Sequence, residues 1–425
     1  MPDGSATAHL FRPKIATVIQ DGYGLEYFRK DALAGLTVAI VALPLSMAIG
    51  VASGVSPARG LYTAIVGGFL VSALGGSRHQ IGGPAGAFIV LVAATAARYG
   101  LDGLLLAVLL SGVLMALAGL LRLGSLIRHI PHAVTVGFTC AIAATILASQ
   151  LKDLGGLTLA KEPGALLPKL AALGRAISTL NLNALALGVA TAAVIFGVRR
   201  LRPSWPGMLI AVAAASAVAA LSHLPVETIG SRFGGIPHSL PAPRLPAISL
   251  AKLVSVAPSA LSFTLLGGIE SLLSAKVADA LTGRKHRSNM ELVAQGLANV
   301  GSALFGGICV TGTIARTATN VRAGGRTPVS GLLHALFLLL FILIAAPLAS
   351  FIPLSALAGV LVVVSWNMAE KQEFARLLRS WRTAAVLLTT FAVTMLRDLT
   401  TGIIAGCALA SAFAILRRAV PEEGA

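Results

Sequence analysis

Arg316 and Glu270 each stand inside a long apolar stretch, and two glycine pairs, Gly82-Gly83 and Gly306-Gly307, interrupt two others. A permanent guanidinium within a membrane helix costs at least ~2.5 kcal/mol on insertion scales, so it needs a buried partner. An anion drawn from water is one such partner. A structural ion pair with Glu270, or a side chain that reaches the aqueous rim, would also serve. Glu270 lies in the middle of 261-LSFTLLGGIESLLSAKVADALTG-283. It suits proton binding, sodium binding or simple neutralisation of Arg316, and burial and a nearby guanidinium pull its protonation in opposite directions. Lys276 and Asp279, three apart, read as a pair near the inner rim. Asn299, Thr313, Thr317 and Asn320 surround the second break and suit exposed backbone groups or bonds between helices. Thr313 is the one best placed for ligand contact.

Those residues need particular elements to bring them together. His79-Gln80-Ile81 can extend, Gly82-Gly83-Pro84 turns, and Ala85-Gly86-Ala87-Phe88 opens a helix, with proline suited to a helix start. Likewise Gly306 to Val310 can extend before Thr311-Gly312-Thr313-Ile314-Ala315-Arg316 begins a helix. The breaks lie about half a chain apart, and interrupted segments in corresponding positions of two halves point to a mid-membrane binding site. Two helices starting there direct unpaired N–H groups and positive dipole ends at one spot. An anion exchanges its hydration for those fixed donors. The competing reading makes both glycine runs simple kinks filled by neighbouring helices. Pro44 with Ser46 is either a helix break facing the same cavity or an ordinary proline kink.

Composition sets the medium in which these elements form. Of 425 residues, 56% are hydrophobic and only 12% charged, with a mean hydropathy of +0.86. Soluble domains carry roughly a quarter charged residues, so a soluble enzyme is excluded. Cys140, Cys309 and Cys407 stand too far apart for a redox pair or zinc framework. No Gly-Lys and no HExxH occurs, and the histidines are dispersed, His129 and His132 flanking Pro131. No catalytic residues, cofactor or metal are expected. Residues 1–30 lack the apolar core of a signal peptide.

A membrane-crossing helix needs about 20 mainly apolar residues. Windows of that kind cover 32–51, 57–75, 102–121, 132–150, 184–198, 206–222 and 254–281. Others cover 290–306, 328–347, 353–368, 383–396 and 399–416, and the glycine-broken stretches 79–98 and 306–321 bring the total to fourteen. With the N-terminus inside, Arg199, Arg200 and Arg202 fall on the inner side, as do Arg284, Lys285 and Arg287, and Arg376, Arg379 and Arg382. Short outer connections hold Arg59, Arg98 and Arg397. This asymmetry follows the positive-inside rule and assigns the net charge of +17 to a cytoplasmic rim, not to nucleic acid binding. Long outer connections run through 151–183 and 223–252, the second extended by Pro237, Pro241, Pro243 and Pro246. Gly50/Gly54 and Gly402/Gly406 have the spacing of close helix packing.

Several stretches together resemble the sulfate permease (SulP) family, bacterial relatives of solute carrier family 26. They are 35-GLTVAIVALPLSMAIGVASGVSPARGLYTAIVGG-68, 76-GSRHQIGGPAGAFIV-90, 122-RLGSLIRHIPHAVTVGF-138, 267-GGIESLLSAKVADALTGRKHRSNMELVAQGLANVGSALFGG-307 and 311-TGTIARTATNVRAGGRTPVSGLLHA-335. The resemblance covers roughly residues 30–418. It implies an all-α polytopic membrane protein whose fourteen segments form two inverted repeats of seven, like the uracil-transporter fold, with a short strand before half-helices 3 and 10. The repeats would be residues 31–222 and 253–418, joined by 223–252 and flanked by cytoplasmic segments 1–30 and 419–425. A core of segments 1–4 and 8–11 would move as an elevator against a gate of segments 5–7 and 12–14.

By position, the family pocket would comprise Leu45, Ser46 and Ile49, then Pro84, Ala85, Gly86, Ala87 and Phe88, and finally Thr313, Ile314, Ala315 and Arg316. Glu270 matches the acidic position that resembles part of the cation site in sodium-coupled relatives. Several relatives have glutamate or glutamine where this chain has Leu45, so coupling would fall to Glu270. Relatives usually continue into a cytoplasmic STAS domain, which seven residues after Arg418 cannot form. The expectation is a secondary transporter in the plasma (cell inner) membrane, both termini cytoplasmic, for sulfate, bicarbonate or a C4-dicarboxylate such as fumarate. Its partners would be the lipid bilayer, a coupling H+ or Na+, and a second copy in a homodimer. The rivals are an uncoupled anion channel or exchanger, a membrane scaffold, and a nucleobase-type symporter of the same fold; a neutral base has no need of Arg316.

Overall fold

The computed structural model describes residues 11–125, 131–159, 166–203, 205–397 and 399–419. Residues 1–10, residues 126–130 of the 122–138 motif with Arg128 and His129, residues 160–165 of the first long connection and the tail from 420 lie outside the described residues. So do the side chains of Arg417 and Arg418.

Helix follows the apolar windows. The first half contains α1 (Lys14–Gln20), α2 (Leu25–Ala52), α3 (Pro57–Leu74, with a π turn at Thr63–Gly67), β1 (Gly82–Gly83) and α4 (Ile89–Leu120). It continues with α5 (His132–Gly155), α6 (Leu166–Arg175), α7 (Leu182–Leu201), α8 (Gly207–Leu221) and α9 (Ile229–Phe233). The second half contains α10 (Leu250–Thr282), α11 (Ser288–Leu304), β2 (Thr311–Gly312), α12 (Ile314–Arg322) and α13 (Val329–Ala349). It ends with α14 (Leu354–Met368), α15 (Lys371–Leu377), α16 (Trp381–Leu396) and α17 (Leu399–Ala419). Among the described residues, eight helices are long and apolar enough to cross a membrane, and shorter apolar ones accompany them.

Glycine and proline punctuate this helical chain where backbone geometry demands it. At Gly100 (φ 69°) the chain leaves the helical conformation within α4, so the expected windows 79–98 and 102–121 meet in one bent element. Pro44 lies inside α2, which runs on through it; the reading of Pro44 as a helix break is therefore not realised. Gly54 adopts φ +73° with nothing within 4 Å of a Cβ built on it, so it makes the turn after α2. The close-packing assignment holds for Gly50 but not for Gly54. Gly402 and Gly406 do pack closely, against Thr394 and Thr390 of α16.

Packing divides the helices into two sets. In one, α4 lies along α11 and α10, and α2 lies along α13. Gly112 of α4 and Gly296 of α11 face each other so closely that a Cβ at either would stand 2.6 or 2.5 Å from the other's carbonyl oxygen. In the other set, α5, α7, α14, α16 and α17 pack on one another. The sets touch mainly where α14 and α8 meet α2. At the centre of the first set, β1 and β2 pair antiparallel, Gly82 with Gly312 and Gly83 with Thr311.

Corresponding anchors hold the two strand approaches with opposite charge. Near the start of α11, the buried Glu291 carboxylate accepts the N–H groups of Gly76 (2.8 Å) and Ser77 (3.0 Å) ahead of β1. Near the start of α3, Arg59 donates to the carbonyl of Gly306 (2.6 Å) ahead of β2. An acid gathers donors on one approach and a base gathers an acceptor on the other. Charge-assisted bonds of this kind are roughly twice as strong as neutral ones.

Candidate anion-binding site

The strand pair positions two helix starts. After β1, Ala85 is extended (φ −117°, ψ 146°) and a 3-10 turn, Gly86–Phe88, leads into α4. After β2, Thr313 is extended (φ −104°, ψ 128°) and α12 begins at Ile314 with no side-chain cap. The first-turn N–H groups of a helix have no partner within it, here those of Gly86 and Ala87 on one side and Ile314, Ala315 and Arg316 on the other. Thr313 donates its own N–H to Ile81 O (3.1 Å), which ties the second start to the first approach. Its hydroxyl is buried and has no partner among the described residues.

Arg316 crosses from α12 to the opposite half. Its side chain is 1% exposed, and Nη2 donates to Ser46 Oγ (3.1 Å) and Pro84 O (3.3 Å). Ser46 Oγ in turn donates to Ala42 O (2.7 Å), so the hydroxyl is oriented by its own helix. Nε and Nη1 of Arg316 are buried without a partner among the described residues. Burial removes the reading in which this cation reaches the aqueous rim. The Arg316–Glu270 ion pair is not formed either: Glu270 is half-buried on α10 and its Oε2 has no partner among the described residues. An unpaired buried guanidinium is expensive, and its two idle nitrogens remain available to an anion.

The other sequence-derived residues take distinct places. Leu45 and Ile49 of α2 are buried with Ala85, Ala87 and Phe88 in one apolar cluster beside the first helix start. Phe88 meets Phe263 of α10 with ring centroids 5.9 Å apart. Ile314 and Ala315 are exposed at the start of α12. Arg316, Ser46 and Pro84 are thus brought into direct contact, whereas Leu45 and Ile49 supply wall and Glu270 stands apart on the turn of α10 that holds β2. On that turn, Thr311 Oγ1 donates to Gly267 O (3.2 Å), and Ser271 Oγ lies 2.8 Å from Thr311 Oγ1.

Three polar residues near the second break satisfy backbone, as their type predicts. Asn299 accepts from Val310 N and donates to Val310 O, both at 2.9 Å. Thr317 Oγ1 accepts from Ile81 N (3.2 Å), and Asn320 donates to His79 O (2.9 Å). The expected Lys276–Asp279 pair is not formed; Asp279 instead meets His286, Nδ1 at 2.6 Å and backbone N at 3.1 Å, while Lys276 is exposed. The turn after α10 folds back and delivers that histidine to the carboxylate first.

Two residues went unmarked in the sequence. Gln80 donates to Ser271 O (3.2 Å), and its Nε2 lies 1.6 Å from where a Cβ of Gly312 would be. It sits over β2 as Arg316 sits over β1. His334 of α13 is fully buried with both ring nitrogens unpartnered among the described residues. A histidine inside the apolar window 328–347 was the available signal, since an ionisable group in a membrane segment is a functional candidate by default.

A helical apolar chain with two strand-led half-helices converging on a buried cation defines a polytopic membrane transporter. The chain belongs to the sulfate permease family, which matches residues 28–394. YvdB of Bacillus subtilis (strain 168), named for sulfate transport, is 43% identical over 93% of this chain and 75% of its own length. The bicarbonate transporter BicA of Picosynechococcus sp. is 33% identical over 81% of this chain and 63% of its own length. Among solved structures, the transmembrane domain of a cyanobacterial BicA matches with a TM-score of 0.79 and 31% identity, covering 91% of this chain and 98% of that one. The murine solute carrier 26 family member A9, in its inward-facing state, shares the fold with a TM-score of 0.87 at 18% identity, covering 98% of this chain and 73% of that one. The family and these relatives are transporters, not enzymes.

Proposed function

We propose that the chain is a secondary transporter of a small anion, bound between the starts of α4 and α12 and moved by elevator-type alternating access. The observation that carries this reading is the buried Arg316, two of whose nitrogens have no partner among the described residues and lie beside two helix N-termini. Fixed donors and a cation in a low-dielectric site favour an anion over a neutral solute, which also argues against a nucleobase. Sulfate is the first candidate and bicarbonate the second, following the relatives named for each; a C4-dicarboxylate is the third. In this reading all fourteen segments cross the plasma (cell inner) membrane, both termini are cytoplasmic, and residues 31–222 and 253–418 form the inverted repeats. The set built on α2, α4, α10, α11 and α13 is the moving core, and the set built on α5, α7, α14, α16 and α17 is the gate, within a homodimer. Glu270 binds the coupling H+ or Na+.

Purified protein screened against sulfate, bicarbonate, chloride, oxalate and fumarate tests the reading. One anion should bind in wild type and fail to bind in Arg316→Ala. Equal affinity in both proteins would refute the site. Flux in reconstituted vesicles with imposed proton or sodium gradients then tests coupling: a coupled carrier follows one gradient, and a channel or exchanger ignores both.

A further inference from the structure

Three segments, drawn from both halves of the chain, meet beside the approach to β1. Lys14 N donates to Gly75 O and Arg287 N to Gly76 O, both at 2.9 Å. Arg287 Nη1 reaches back to the N-terminal segment and donates to Arg12 O (2.6 Å) and Thr17 Oγ1 (3.2 Å). Arg78 Nη2 lies 2.6 Å from Asp21 Oδ2, just past the end of α1. The N-terminal helix is thus strapped across the loop that leads into β1.

Positive charge crowds this corner. Segments 12–21, 75–79 and 279–291 carry six cations, Arg12, Lys14, Arg78, Arg284, Lys285 and Arg287, against three acids. Each acid is already engaged: Asp21 by Arg78, Asp279 by His286, and Glu291 by the N–H groups of Gly76 and Ser77 and by Gln295. The Lys14 ammonium is half-buried, and no hydrogen bond or ion pair holds it among the described residues. Burial first, then the guanidiniums of Arg287 and Arg78 and, behind them, Arg284 hold its pKa below the usual lysine range; Asp279 acts the other way. Arg284 and Lys285 are exposed on the turn between α10 and α11. The positive-inside rule explains an excess of cations on one side of a membrane protein. It does not explain why a lysine is half-buried among three arginines.

We propose that this corner binds a phosphate-type dianion, held between the Lys14 ammonium and the Arg284 guanidinium. Such a group presents acceptor oxygens on several sides, and its charge-assisted bonds to lysine and arginine are roughly twice as strong as neutral ones. The dianion comes free from solution or as the headgroup of a phospholipid. Because Lys14 stands on α1 and Arg284 on the turn after α10, an occupant ties the N-terminal strap to the second half and stiffens the approach to β1. Arg316, bonded to Ser46 and Pro84, takes no part in this corner. The inference goes beyond the proposed transport activity and does not depend on it.

The test uses the full chain in detergent, with inorganic phosphate as the probe. Chloride at matched ionic strength is the control, because any added salt screens like charges. Isothermal titration should find a phosphate site that survives Arg316→Ala, and phosphate should raise the thermal midpoint of that variant where chloride does not. Lys14→Gln and Arg284→Gln should each weaken this binding several-fold, and together at least tenfold. Arg382→Gln, which removes a cation at the start of α16 in the other packing set, should leave it unchanged. Equal affinity with and without the double change would overturn the site. So would an equal loss in Arg382→Gln, which would reduce the effect to general surface charge, or the disappearance of all phosphate binding in Arg316→Ala, which would place the phosphate at the half-helix starts. Nanodiscs separate the two sources. Stabilisation by phosphatidic acid over phosphatidylcholine that the double variant loses, without a response to free phosphate, supports the same site with a lipid headgroup in it. Absence of both responses overturns the proposal. A phosphate-free thermal midpoint within a few degrees of wild type certifies each variant, and the exposed Arg284→Gln keeps the test decisive should Lys14→Gln misfold.

Discussion

Arg316 occupies the space that a side chain at position 83 would need: a Cβ built on Gly83 would stand 1.7 Å from Nη1 and 3.0 Å from Cζ of the guanidinium. The glycine of one half exists, in packing terms, to admit the cation of the other. The mirror relationship holds between Gly312 and Gln80. Each strand is thus kept bare so that a polar side chain from the opposite half can lie across it, and the two halves assemble as one site only when both strands are glycine-lined.

Gly83→Ala should therefore act on Arg316, besides straining a backbone that holds φ +159° at this position. The atoms a methyl would meet belong to the end of a flexible side chain, which can swing away, instead of to rigid backbone. Displacement breaks the bonds to Ser46 and Pro84. Hydrogen bonds of charged groups are worth about 1.5–3 kcal/mol each, so anion affinity should fall at least ~10-fold. Isothermal titration of the purified variant gives the affinity, and a thermal midpoint within a few degrees of wild type separates this effect from unfolding.

Arg316→Ala should abolish measurable anion binding without destabilising the protein. The wild-type guanidinium is buried with two nitrogens that have no partner among the described residues, so its removal relieves a desolvation cost that offsets the packing lost on truncation to alanine. A thermal melt without anion should show an equal or higher midpoint in the variant. Added substrate should raise the midpoint of wild type alone, because only a ligand that binds the native state shifts it. Arg316→Lys should bind more weakly than wild type, since a point charge cannot hold Ser46, Pro84 and an anion in one plane.

Much of this arrangement could be read from residue types. Gly82-Gly83 marked the first break because no other residue lets a strand and a side chain approach so closely, whereas Gly306-Gly307 only leads to the second: β2 is Thr311–Gly312, two residues read in the sequence as the opening of a helix, and Gly312 is the glycine kept bare there. Asn299, Thr317 and Asn320 were legible as backbone partners because a break exposes groups that only polar side chains can satisfy. Spacing along one helix was a poorer guide. Lys276 and Asp279 have a favourable separation, yet His286 from the next turn takes the carboxylate. Gln80 and Glu291 were illegible because their partners, Ser271 and the pair Gly76 and Ser77, come from the other half. Local pattern carries no information about which distant segment a polar group will meet.

Glu270→Gln should separate coupling from movement. The carboxylate is unpaired by Arg316 and stands on the α10 turn that binds β2 through Thr311, so neutralising it leaves the anion contacts in place. Accumulation driven by an imposed cation gradient should fall to the level of equilibration, while exchange of internal for external anion persists. Vesicle uptake measured in both modes reads the two outcomes directly. An unchanged gradient dependence would remove Glu270 from any coupling role.

Asn299→Leu should be the most damaging of these changes to stability. Side-chain bonds between membrane helices average only about 0.6 kcal/mol, which is the scale expected for Ser274→Ala, where the bond to Thr317 is lost. Asn299 is different because it holds both the N–H and the carbonyl of Val310, the residue that leads into β2. Leucine at 299 leaves two buried backbone groups unsatisfied at about 1–3 kcal/mol each, several times the cost of Ser274→Ala. The strand pair loses its fixed approach, so the start of α12 should loosen with it and anion affinity should fall alongside the thermal midpoint. Asn299→Asp, neutral at so buried a site, keeps the acceptor for Val310 N but has one donor where the amide has two, for Gln295 O and Val310 O, so its midpoint should fall between wild type and Asn299→Leu. Thermal melts of the three variants against wild type give the order Ser274→Ala, Asn299→Asp, Asn299→Leu, and a melt in which Asn299→Leu matches Ser274→Ala would show that β2 is held by other means.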